Sequence, residues 1–271
     1  MTMKEKLAAN TKQGKALLAV NYYNFETLKG LLLAAKATNS NLILQLSESS
    51  LNYLDIKPAI AMARVMLKEF DVEGWVHLDH GSSIDVIKKC LDTGFDSVMI
   101  DASEKPFDEN VSITKEAVKI ASGYNVNVEA ELGYIAKLNQ SHTFEPTSAD
   151  DAKRFVEATG IDALAIAIGN AHGFYKEIPK LRIDRLKEIR AVTSCALVLH
   201  GSSGIPDDQL QEAIRCGISK INLATETKNA FMKKLQSLLA DSDEIDLRKV
   251  FPKAIDEVKE LIIKKLNVVN T

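Results

Sequence analysis

A closed α/β barrel of eight parallel strands, the (β/α)8 or TIM barrel with an extra C-terminal helix, is the fold this sequence predicts. Three observations predict it. Short apolar runs alternate with segments of helical period along the whole chain. The count of such units is eight, and the 271 residues match the roughly 250 that such a barrel uses. Nothing that reads as a linker, a low-complexity run or a break in composition interrupts them, so residues 1–271 are expected to form a single barrel domain.

The strands are expected at 16–21, 41–46, 74–79, 95–101, 126–132, 162–168, 195–200 and 218–223. Each is a short and nearly continuous apolar run, as parallel strands covered on both faces require. Between them lie helical stripes. Phe25, Leu28, Leu31, Leu32 and Ala35 form one, Leu181, Ile183, Leu186 and Ile189 a second, and Leu210, Ala213 and Ile214 a third. A helix is expected from about Thr225, and Ile255, Val258, Leu261, Ile262 and Leu266 mark the extra C-terminal helix. An open doubly wound sheet is the alternative. The absence of GxGxxG after the first strand weakens it.

The totals narrow the function classes. Hydrophobic residues make up 46% and charged residues 26%, which is ordinary for a globular protein, and the net charge is −3 with no polycationic tract. Nucleic acid is therefore not an expected partner. The N-terminus lacks a long apolar signal segment and no apolar run reaches 18 residues, so neither export nor membrane insertion is expected. Cys90, Cys195 and Cys216 are odd in number and widely spaced, as for reduced thiols in a cytoplasmic protein.

In this fold the C-terminal strand ends build the active site. Three of the five histidines, His80, His172 and His200, follow strands 3, 6 and 7 and would share that rim. Three imidazoles with an open fourth position is the pattern of catalytic zinc. Glu131 on strand 5 is either a further oxygen ligand or a carboxylate that orients a histidine. His77, within strand 3, reads as support. Asp79 beside His80 is placed to move protons. Gly173, Gly201-Ser202-Ser203 and Asn222–Thr225 would cluster in the quarter of the barrel that usually binds phosphate. A Schiff-base route needs a lysine inside the barrel near the strand tops. Strand 6 has none, and Lys220, near the start of strand 8, should point to the wrong end.

Several strings are now recognisable together. His77-Leu78-Asp79-His80-Gly81-Ser82-Ser83, Ser97-Val98-Met99-Ile100-Asp101-Ala102-Ser103 and Val128-Glu129-Ala130-Glu131-Leu132-Gly133 come first. Ala167-Ile168-Gly169-Asn170-Ala171-His172-Gly173, Leu197-Val198-Leu199-His200-Gly201-Ser202-Ser203-Gly204-Ile205-Pro206 and Lys220-Ile221-Asn222-Leu223-Ala224-Thr225-Glu226 follow in order. The combination resembles the class II fructose-bisphosphate and tagatose-bisphosphate aldolases over nearly the whole chain.

The resemblance implies a lyase of carbohydrate metabolism that cleaves a ketose phosphate or bisphosphate between C3 and C4. The products would be dihydroxyacetone phosphate and an aldehyde, formed through a zinc-stabilised enediolate. It implies one Zn²⁺ per subunit on His80, His172 and His200 with Glu131 close by, a monovalent cation as an optional companion, and Asp79 as acid/base. Gly173, Gly201, Ser203, Asn222 and Thr225 match positions that hold the dihydroxyacetone-phosphate end. Asn24 and Ser47 match substrate contacts. Arg248 matches an arginine that grips the second phosphate, often from a neighbouring subunit, so a homodimer or homotetramer is expected.

The chain departs from the family in the loop 133–148. That loop is shorter than usual, lacks the Gly-Gly, and carries Glu145 as its only carboxylate, the candidate for the second catalytic acid. The departure bears on the substrate more than on the metal. A zinc-dependent hydrolase, or a sugar-phosphate-binding or regulatory relative without turnover, are the alternative readings.

Overall fold

A computed structural model of the chain describes residues 1–133, 135 and 146–271. The strands are β1 (Leu17–Asn21), β2 (Leu42–Ser47), β3 (Gly74–Gly81), β4 (Ser97–Ile100), β5 (Asn127–Leu132), β6 (Ala163–Ile166), β7 (Ala196–Leu199) and β8 (Ile218–Leu223). The helices begin with α1 (Met3–Gln13), α2 (Phe25–Ala37), α3 (Glu48–Leu54), α4 (Ile56–Phe70), α5 (Ile84–Asp92) and α6 (Phe107–Ala121). They continue with α7 (Ala149–Thr159), α8 (Ile183–Val192), α9 (Asp207–Arg215), α10 (Thr225–Leu239) and α11 (Leu247–Val269). The strands pair in sequence order, all parallel, and β8 closes on β1. The expected barrel is therefore the observed one, and the open sheet is excluded.

Alternation along each strand divides the core in two. Residues such as Leu18, Val20, Leu44, Val76, Val98, Ala130 and Leu164 face the helices and pack on their apolar stripes. The lower barrel interior is filled by Leu17, Ala19, Ile43, Trp75, Met99, Ala163, Ala165, Ala196 and Val198. Met3 and Leu7 of α1 complete this inner cluster. Helix α1, for which the sequence raised no expectation, thus plugs the bottom of the barrel. A capping box closes its N-terminus: Thr2 Oγ accepts from Glu5 N–H at 3.2 Å, and Glu5 accepts from Thr2 N–H at 2.8 Å.

The extra helix α11 lies against α2, where an added Cβ on Gly30 would meet Val258 at 2.8 Å. Its expected stripe is buried except for Leu261, which is half-buried. No described helix is long and apolar enough to cross a membrane.

The upper strand ends differ from expectation in an informative way. β6 leaves the ladder after Ile166, two residues early. Its next N–H groups bond to side chains instead, Ala167 to Thr147 Oγ1 at 2.9 Å and Ile168 to Asn170 Oδ1 at 2.8 Å. β3 runs two residues further than expected and ends in a bulge against β4 between Leu78 and Gly81. There β3 passes so close to β4 that a Cβ on Gly81 would sit 2.7 Å from Met99 O.

Candidate active site

Strict alternation would send the side chains of Asp79 and His80 to opposite faces of the sheet. The bulge prevents this. His80 adopts φ +54°, in the left-handed region that a non-glycine residue rarely occupies. Asp79 and His80 consequently line the same cleft. His200 follows the last residue of β7, Glu131 projects from β5, and His172 comes from the loop after β6. Ligand atoms of His80, Glu131, His172 and His200 all lie within 4.8 Å of one another. The three imidazole rings meet edge to face, with centroids 4.8 to 5.8 Å apart. The barrel has thus assembled the three predicted histidines and Glu131.

The surrounding hydrogen bonds orient these rings. His80 Nδ1 lies 2.7 Å from Asp101 Oδ2, and Asp101 is held by the Ser103 N–H at 3.1 Å and hydroxyl at 2.7 Å. His200 Nε2 lies 2.9 Å from Glu129 Oε1. A carboxylate only accepts, so each of these ring nitrogens carries the proton. The opposite nitrogens, His80 Nε2 and His200 Nδ1, face each other across 3.0 Å, so without a cation a proton on His80 Nε2 must bridge them. Glu131 Oε2 is buried beside them with no hydrogen-bond partner among the described residues. A buried carboxylate oxygen without a partner is unfavourable by itself, and so are the two facing ring nitrogens once that proton is lost. A divalent cation would satisfy all of them, so the donor set fits such an ion. His80 and His200 are oriented by Asp101 and Glu129 rather than by Glu131.

Asp79 is held from two sides. Asn21 Nδ2 donates to its Oδ2 at 2.9 Å and Asn222 Nδ2 to its Oδ1 at 3.3 Å, while Gln45 Nε2 donates to Asn21 Oδ1 at 3.0 Å. Burial favours its neutral form, but His80, His200 and Lys220 outweigh this and hold the carboxyl below its ordinary value. Asp79 is therefore an ionised proton acceptor at the cleft wall.

Burial opposes charge on His80 too, yet Asp79, Asp101 and Glu131 lift it to about 10. Burial and the nearby Asp101 push Glu131 up to about 8. Burial drives His200 and His77 well below the ordinary histidine value.

Ser47, Gly173 and Thr225 line the same cleft, whose volume is about 490 Å³. Asn222 reaches it through Asp79. Gly201 sits at φ +65°, where an added Cβ would run into Ala171 O. Ser203 Oγ accepts from Glu226 N–H at 3.2 Å at the start of α10. Asn24 serves as N-cap of α2, accepting from Thr27 N–H at 2.9 Å. Arg248 is not among the cleft-lining residues; it is exposed and pairs with Asp246 at 2.9 Å. Glu145 lies outside the described residues, as does most of the segment 133–148.

One expectation is corrected. Lys220, expected to point to the wrong end of the barrel, reaches the carboxylate that holds His200. It is fully buried in the barrel interior, and its Nζ donates to Glu129 Oε2 at 2.9 Å. Asn21, Gln45, Tyr23, Glu129 and Lys220 were not singled out as site residues. Period-two alternation would have found two of them, Glu129 and Lys220, since Glu129 and Glu131, and Lys220 and Asn222, each share an inward face.

The geometry has counterparts among known proteins. The family described as Fructose-bisphosphate aldolase class-II matches residues 1–271. A fructose-bisphosphate aldolase of Geobacillus stearothermophilus is 40% identical over 273 residues, covering 98% of this chain and 95% of the relative. One from Helicobacter pylori is 34% identical, covering 96% and 94%. The crystal structure of the YdjI aldolase from Escherichia coli K12 superposes with a TM-score of 0.89 at 33% identity, covering 98% of this chain and 96% of that one. The full-length match, the two relatives and the shared barrel lead to one conclusion: this chain belongs to the class II fructose-bisphosphate aldolase family, a family of lyases.

Proposed function

We propose that the chain, acting as one barrel over residues 1–271, is a zinc-dependent aldolase. It would cleave a ketose phosphate reversibly between C3 and C4 to dihydroxyacetone phosphate and an aldehyde. The observation that carries this reading is the convergence of His80, His172, His200 and Glu131 beside an ionised Asp79 in one cleft. A Zn²⁺ ion held by the three histidines, with Glu131 beside it, supplies Lewis-acid stabilisation of the negative charge that develops on the substrate oxygens.

The chain's own residues do the rest. Asp79 takes the proton from the C4 hydroxyl, so that the carbonyl of the aldehyde forms as the C3–C4 bond breaks. Asn21 and Asn222 keep its oxygens directed at that hydroxyl. The electron pair of the broken bond stays on C3 of the dihydroxyacetone-phosphate half, and protonation there completes cleavage. Glu145 is the proposed source of that proton.

The phosphate of this half belongs at the mouth of α10. Its N-cap residue, Ala224, has no side chain that can accept from it, Ser203 Oγ takes only the Glu226 N–H, and its first residue, Thr225, lines the cleft with Ala224. Its remaining N–H groups and dipole favour an anion there. Gly173, Gly201, Ser203 and Asn222 shape the same corner, and Ser47 and Asn24 border the other side of the cleft.

The relatives are named for fructose bisphosphate. The short loop 133–148, with one carboxylate, favours a ketose 1-phosphate with a different distal group for this chain. Trapping the aldehyde and dihydroxyacetone phosphate from a panel of ketose phosphates tests the reading. Cleavage should vanish on chelation and return with zinc. Full activity in metal-free protein would sink the metal assignment, and fructose 1,6-bisphosphate as the best substrate would sink the substrate assignment.

A further inference from the structure

Beneath the site lies a buried polar chain that the reaction as drawn does not use. Asn127 Nδ2 donates to Ser97 Oγ at 3.0 Å, and the same oxygen lies 2.7 Å from His77 Nδ1. His77 Nε2 lies 3.4 Å from Lys220 Nζ, which donates to Glu129 Oε2 at 2.9 Å. Glu129 Oε1 accepts from His200 Nε2 at 2.9 Å. Asn127, Ser97, His77, Lys220, Glu129 and His200 are all 0% exposed.

Such a chain is a poor way to gain stability. Removing a lysine and a glutamate from water costs several kcal/mol per ion, and apolar side chains of similar volume often serve a core as well or better. Its geometry instead has a definite effect on one ring. Two groups compete for His200 Nε2. Glu129 Oε1, at 2.9 Å, requires a proton on that nitrogen. Asn222 Nδ2, at 3.1 Å, is a donor and requires a lone pair there. If Asn222 prevailed, the proton would sit on Nδ1, pointing at His80 Nε2 3.0 Å away and into the cluster of ligand atoms. A nitrogen so protonated cannot bind a cation.

We infer that Lys220 is a positioning residue for the metal site: it anchors Glu129 so that the carboxylate, not Asn222, selects the His200 tautomer whose Nδ1 is free to bind zinc. Lys220 touches neither substrate nor cation; apart from its charge, which helps hold Asp79 ionised, it acts on the metal site through Glu129. The ion pair fixes Oε2, and the planar carboxylate then has only Oε1 to offer the ring. The inference rests on the zinc reading of the site.

The test uses the full chain with Lys220→Met, Glu129→Gln and the double variant. Zinc affinity is read by chelator competition, and the His200 tautomer by imidazole ¹⁵N shifts of metal-free protein. In Glu129→Gln, Lys220 should claim the amide oxygen and turn the amide NH₂ to His200, imposing the wrong tautomer. Zinc affinity should fall by about 10–100-fold, the usual cost of losing a partner that orients a ligand. Lys220→Met should fall in the same direction. Adding Lys220→Met to Glu129→Gln frees the amide to flip and should recover most of the loss, which a merely structural lysine would not do. Wild-type affinity in the single variants, or a double variant no better than Glu129→Gln, would overturn the inference. Should Lys220→Met not fold, Glu129→Gln and the double variant still decide. Should the wild type take up no zinc, the metal reading fails, and the tautomer measured in metal-free protein still decides the role of Lys220.

Discussion

At the residue scale, the site depends on a few side chains whose environments differ sharply. Asp79 is held ionised by His80, His200 and Lys220 and gripped by two asparagines. Asp79→Asn should therefore lower kcat by about 10²–10⁴-fold, the span of a positioned acid/base. Zinc content, measured by atomic emission, should stay near wild type; loss of the metal would make Asp79 a ligand or a support instead. The ligand set also predicts a pH dependence of metal uptake. In the metal-free protein His80 is raised to about 10 and Glu131 to about 8, so both hold protons at neutral pH that a cation must displace. Apparent zinc affinity should rise steeply with pH up to about 8, where Glu131 stops competing, and more shallowly towards 10, where His80 does. Calorimetric titration at several pH values checks this, and affinity that is flat from pH 6 to 9 would contradict it.

At the element scale, the two ends of the barrel are built for different tasks. The upper ends break their ladder early or bulge, as β6 and β3 do, to aim side chains into the cleft. The lower end is a packed apolar layer closed by α1. Leu7 of α1 is 1% exposed within that layer. Leu7→Ala should destabilise the fold by about 2–5 kcal/mol, as large-to-small core changes do. Because α1 lies at the opposite end from the ligands, zinc affinity of the folded variant should not change. Urea unfolding paired with a zinc titration separates the two effects. The eight strands were legible in the sequence because each is a compact apolar run. Helix α1 was not, because two buried apolar side chains, Met3 and Leu7, in eleven residues leave a weak stripe. Its reason for being helical lies in the barrel floor it covers.

At the scale of the whole molecule, the cleft that takes in Gly173 and Thr225 does not include Arg248, which stands exposed at the start of α11. That placement is compatible with the expected arrangement in which the arginine serves a neighbouring subunit. Arg248→Ala should then raise KM for ketose bisphosphates far more than for 1-phosphates. Equal effects on both would remove its assignment to the distal phosphate. Sedimentation at assay concentration should show a dimer or tetramer, and a monomer with full bisphosphate activity would count against a shared site.

The grouping of the candidate site residues was readable in the residue order. Three histidines and Asp79 fell at the ends of apolar runs, and a parallel barrel must bring such ends to one rim. The strings around them marked the family. The distinction between ligand and support was not readable in this way. Glu129 and Glu131 are two residues apart on one strand and face the same interior. Only the depth of each in the barrel separates the carboxylate that pairs with Lys220 from the one that meets the three histidines. Likewise, alternation alone would part Asp79 from His80. The bulge between β3 and β4 and the left-handed backbone at His80 put them side by side. Sequence patterns report which face a residue occupies. Its depth along the barrel axis, and the partners it meets there, follow from strand stagger and closure, which no local run of residues encodes.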